Sequence, residues 1–100
     1  MAADHYCADT ENGEHVEDPS EDALFELIDE LALPANTFVT ITPADDDPSW
    51  YASVSLLEDG TYEVEHRDAS RREHELTIET DLGHIAKELT IWLAARDYPD

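Results

Sequence analysis

The sequence predicts a small α+β domain: a four-stranded antiparallel meander with two helices packed on one face, in the order α-β-β-β-β-α. Three observations lead there. The chain has 100 residues, enough for one core and too few for two. Its centre holds two alternating runs, Trp50–Leu57 and Thr61–Arg67, joined through Glu58-Asp59-Gly60, and an Asp-Gly turn between alternating runs is a strong hairpin signal. A segment of helical period lies on each side of the strand-like region, and each needs an apolar surface to cover.

Taken in order, residues 1–16 read as a disordered acidic tail, because Asp4, Asp9, Glu11 and Glu14 face no Lys or Arg there and the apolar residues lack a period. Residues 17–100 read as a single domain. Asp18-Pro19-Ser20-Glu21 is expected to open the first helix, with Asp18 as N-cap, Pro19 in the first turn and Glu21 closing a capping box. Leu24, Leu27, Ile28 and Leu31 then fall on one face, and Pro34 sets the end near Ala32. Thr37–Thr42 is rich in β-branched residues and reads as the first strand.

Pro43–Pro48 is a polar turn. In the hairpin, Trp50, Ala52, Val54 and Leu56 share the inward parity with Tyr62, Val64 and His66. A fourth strand, His74–Glu79, is expected to turn His74, Leu76 and Ile78 inward. Thr80 or Asp81 caps a last helix whose stripe is Leu82, Ile85, Ala86, Leu89, Trp92 and Leu93, ending near Asp97.

Charge narrows the function classes. The 26 Asp and Glu against 5 Lys and Arg give a formal net charge of -21, which repels nucleic acid and anionic membranes. The acids run along the whole chain and lysine occurs once, as in proteins adapted to high salt. A single cysteine, Cys7, allows no internal disulfide. The N-terminus lacks the basic and apolar regions of a signal peptide, and no apolar run approaches a membrane span, so a cytoplasmic protein is expected.

The catalytic motifs are missing. The serines lack a glycine elbow, and the chain's three glycines make no phosphate loop. His5, Cys7 and His15 carry soft-metal donors at no recognised spacing, and Asp45-Asp46-Asp47 lacks the glycine and final glutamate of a calcium loop. His66 and His74 flank the Asp68–Glu73 connection at one parity, so a zinc or pH-sensitive pair is one reading, with core-edge histidines the simpler one. No cofactor is expected. Trp50, Tyr62 and Trp92 have the spacing of core. Tyr51 points outward with Ser53, Ser55, Glu63, Glu65 and Arg67, an aromatic on a polar sheet face of the kind that anchors protein interfaces.

The run Trp50-Tyr51-Ala52, then Glu58-Asp59-Gly60-Thr61-Tyr62-Glu63-Val64-Glu65-His66-Arg67-Asp68, His74, and a final helix with Leu89 and Trp92, resembles small bacterial and archaeal α+β proteins, some grouped with the immunity proteins of polymorphic-toxin systems. That resemblance implies a non-enzymatic binder of a cognate protein. The expectation is therefore a non-catalytic acidic domain whose outward residues engage a more basic protein. The alternative is a structural or self-associating domain, such as a homodimer, whose charge reflects adaptation to salt.

Overall fold

The computed structural model describes residues 6–43 and 49–96. The chain forms β1 (Tyr6–Thr10), β2 (His15–Glu17), α1 (Glu21–Asp29), β3 (Phe38–Pro43), β4 (Trp50–Leu56), β5 (Tyr62–Asp68), β6 (Glu73–Glu79) and α2 (Leu82–Arg96). The strands make one antiparallel sheet in the order β2-β1-β3-β4-β5-β6. The expected α+β class, antiparallel sheet and two helices are present, but the sheet has six strands, not four, and a hairpin precedes the first helix.

For residues 6–16 that hairpin corrects the expectation of a disordered tail; residues 1–5 lie outside the described residues. Gly13, at φ +98, turns the chain at Asn12-Gly13, where its N–H donates to the Thr10 carbonyl. β1 then pairs with β3 from Tyr6↔Pro43 to Thr10↔Val39, which buries Ala8 and Thr10. Local composition argues against order here. The partner that supplies it lies some thirty residues away in sequence.

The start of α1 also differs. Asp18 takes a left-handed backbone (φ +47) and closes the hairpin: its N–H donates to the Tyr6 carbonyl and its carboxylate accepts from the Tyr6 N–H. Ser20 is the N-cap instead, its Oγ accepting from Ala23 N–H at 3.1 Å. The helix stops at Asp29, short of the Ala32 set by the proline rule, and an Ala32↔Asn36 bridge folds the chain back toward β3.

The hairpin β4–β5 follows its alternation. Pairs run from Leu56↔Tyr62 to Trp50↔Asp68 without interruption, and Gly60 at φ +87 completes the turn. Asp59 Oδ1 accepts from both the N–H and the hydroxyl of Thr61, which fixes that turn. Val39 and Ile41 of β3, Ala52 and Val54 of β4 and Val64 of β5 join Leu24, Leu27 and Ile28 of α1 and Ile85, Leu89 and Leu93 of α2 in a single buried cluster. Both helices therefore cover one sheet face. Among the described residues no helix covers the other face.

The inward parity expected for β6 is reversed. The short 3-10 turn Ala69–Arg71 and the left-handed Arg72 (φ +55) make Asp68↔Glu73 the closing pair, so each even residue of β5 meets an odd residue of β6. Glu75, Thr77 and Glu79 lie on the helix side. Leu76 and Ile78 lie on the open side, 55% and 56% exposed. Asp68 sets this geometry from inside: buried, it accepts from Ser70 N–H at 3.1 Å and Ser70 Oγ at 2.6 Å.

Candidate protein-binding face

The open face is built in rungs. Tyr51 stands opposite Arg67, Ser53 opposite Glu65, and Ser55 opposite Glu63, so all six outward residues expected from the sequence share this face. The next strand adds His74 beside Arg67, Leu76 beside Glu65 and Ile78 beside Glu63. On the other flank, Phe38 stands opposite Ser55 and Thr40 opposite Ser53. The face is thus mixed: an apolar margin at Leu76 and Ile78, a polar centre, and half-exposed Phe38.

Its centre is ordered by Glu65. His74 Nε2 lies 2.7 Å from Glu65 Oε2, and Tyr51 and Arg67 stand opposite each other on a neighbouring rung of the same face. These contacts hold the Glu65 carboxyl below its ordinary range, the His74 hydrogen bond first, with Tyr51 and the nearby charge of Arg67 adding and partial burial opposing. Along the same face, His15 Nδ1 lies 2.6 Å from Asp9 Oδ1, and this bond with the Asp9 charge raises the His15 pKa. Burial, followed by the charges of Glu17, Asp9 and Asp18, pushes the Cys7 thiol up, which makes it a poor nucleophile.

His66 and His74 are not a pair. His74 is opposite Arg67 on the open face, while His66 is opposite Glu75 on the helix face, stacked on the Trp92 ring at 4.8 Å. The sheet separates the two imidazoles, so the reversed parity of β6 removes the zinc reading. Among the described residues no three His, Cys, Asp or Glu side chains converge as a metal set. His5 and Asp45–Asp47 lie outside the described residues. His84 is exposed, and its backbone N–H donates to the capping carboxylate of Asp81 at 3.2 Å. Trp50 is core, edge-on to Trp92 at 5.6 Å, and Tyr62 packs partly buried against the same cluster.

On the helix side, α2 leaves β6 uncovered, and a groove of about 240 Å³ runs between them. Val64 and Trp92 line it with His66 and His84, the carboxylates Glu75, Glu79 and Glu88, and Ile91, which is 57% exposed. The exposed apolar residues and this acidic groove are missed when β6 is given the parity of β5. The signal lies in the connection: four residues between closing partners 68 and 73 invert parity between paired strands.

No described helix is long and apolar enough to cross a membrane. Comparison with known protein families, curated proteins and solved structures found no match.

Proposed function

We propose that this chain is a non-catalytic acidic binding domain that engages a more basic protein through its open sheet face. One observation carries the reading: Tyr51, Glu65, His74 and Arg67 gather around the Glu65–His74 hydrogen bond on the β4–β6 part of a face that no described helix covers. A tyrosine side chain has few rotatable bonds and so loses little entropy on binding, and flanking acids steer a basic partner. The family resemblance agrees, since it implies a binder of a cognate protein.

The test is capture from native lysate at the organism's own ionic strength, with wild type against Tyr51→Ala and Glu65→Lys. A basic protein retained by wild type and lost by both variants supports the reading. Equal capture by all three sinks it. A second reading, self-association, draws on the exposed Phe38, Leu76 and Ile78. Light scattering across a salt series decides that point, because a mass that stays monomeric from low to molar salt removes it.

A further inference from the structure

The proposed binding function leaves open how a partner is gripped, and the edge of the sheet addresses this. β6 ends the strand order, so among the described residues one side of its backbone has no strand neighbour. It is seven residues long and pairs with β5 from Asp68↔Glu73 to Tyr62↔Glu79 with no bulge. Native edges are usually shortened, bulged or covered. The opposite edge, β2, follows that rule with three residues, whereas β6 has only its charged side chains to guard it.

That charge has a pattern. Glu75 and Glu79 point into the groove beside Glu88, and Leu76 and Ile78 point to the open face. We infer that β6 is the docking edge: an extended segment of the basic partner adds as a seventh strand beside β6, its alternate residues basic toward the groove and apolar toward Leu76 and Ile78. The inference rests on the binding reading above. Main-chain hydrogen bonds to an open edge supply affinity, and the alternating side chains supply selectivity.

A second copy of this chain is a poor occupant. In two-fold antiparallel pairing centred on Leu76, Glu73 meets the other copy's Glu79; centred on Thr77, Glu75 meets Glu79; centred on Glu75, that residue meets itself. Like charges directly opposite on a sheet are destabilising, and two chains of charge -21 repel at long range as well. A basic strand reverses both terms.

The probe is a capped peptide of about nine residues alternating Lys and Val, compared with a block isomer of the same composition, titrated into the full chain at the lowest salt that keeps it folded. Amide exchange and chemical shifts map the contact. The alternating peptide is expected to bind about tenfold tighter than the block isomer and to slow exchange along β6. Leu76→Lys with Ile78→Lys removes that preference. Glu75→Gln with Glu79→Gln weakens binding while circular dichroism stays unchanged. These four positions are exposed or half-exposed, so the fold survives the changes.

Three outcomes overturn the inference. One is equal binding of both peptides with no β6 protection. Another is contact confined to Tyr51 and its neighbours, which leaves the wider binding reading standing. The third is no binding of either peptide, after which the lysate capture judges the wider reading on its own.

Discussion

Asp68 illustrates how one residue sets the molecule's geometry. It is 2% exposed, caps the turn through two hydrogen bonds from Ser70, and has Arg71 Nε 3.8 Å from its other oxygen. Hydrogen bonds to a buried charged group contribute more than neutral ones, so Asp68→Ala is expected to cost roughly 2 kcal/mol, read as a lower urea midpoint at unchanged slope. Asp68→Asn keeps one acceptor and is expected to lose less. Two histidine–carboxylate bonds act in opposite pH windows. Glu65 has a lowered folded pKa, so its contribution is complete above its ordinary value of 4.5 and is lost as pH falls through the lower folded value. His15 has a raised folded pKa, so its contribution is complete below 6.5 and disappears as pH rises through the higher folded value. Unfolding across pH is expected to lose the acid-side part in Glu65→Gln and the alkaline-side part in His15→Asn; unchanged profiles would refute these assignments.

At the scale of the element, β6 and the N-terminal hairpin are the informative pieces. Val54 is fully buried on β4 and Leu76 is 55% exposed on β6, although both occupy apolar positions of alternating strands. Val54→Ala is expected to cost roughly 2 kcal/mol through lost burial and the cavity left behind. Leu76→Thr is expected to stay within about 0.5 kcal/mol of wild type. A Leu76→Thr penalty as large as that of Val54→Ala would show that Leu76 belongs to the core. Alternation was enough to place β4 and β5, because the Asp59-Gly60 turn joins them in an uninterrupted register. It failed for β6 because the four-residue connection inverts parity. The N-terminal hairpin was hidden for another reason: it contributes few apolar residues to the core, Ala8 with partly buried Tyr6 and Val16, and its order comes from pairing with β3.

For the whole molecule, charge is expected to set how stability responds to salt. At -21 the folded chain repels itself, and salt shortens the range of that repulsion from about 10 Å at 0.1 M to about 3 Å at 1 M. Relief of roughly 2 kcal/mol between these conditions corresponds to a rise in Tm of about 10 °C for a domain of this size. A scanning calorimetry series should show that rise, and a flat Tm would overturn the charge argument. The same screening is expected to weaken capture of a basic partner, so folding and binding pull in opposite directions with salt. An optimum at intermediate ionic strength is the signature of both effects acting in one protein.

By itself, the sequence determined the α+β class, the β4–β5 hairpin with its two faces, the stripes of both helices and the acidic surface. Those follow from period, turn chemistry and composition, all of which are local. Its six outward residues, Tyr51, Ser53, Ser55, Glu63, Glu65 and Arg67, do lie together, because opposite rungs of one hairpin share a face. Tertiary structure alone decided the rest: that residues 6–17 join the sheet, that Ser20 rather than Asp18 caps α1, that His66 and His74 are separated, and that Leu76 and Ile78 face outward. Each of those turns on strand register or a distant partner, and neither is written in the residues immediately around it.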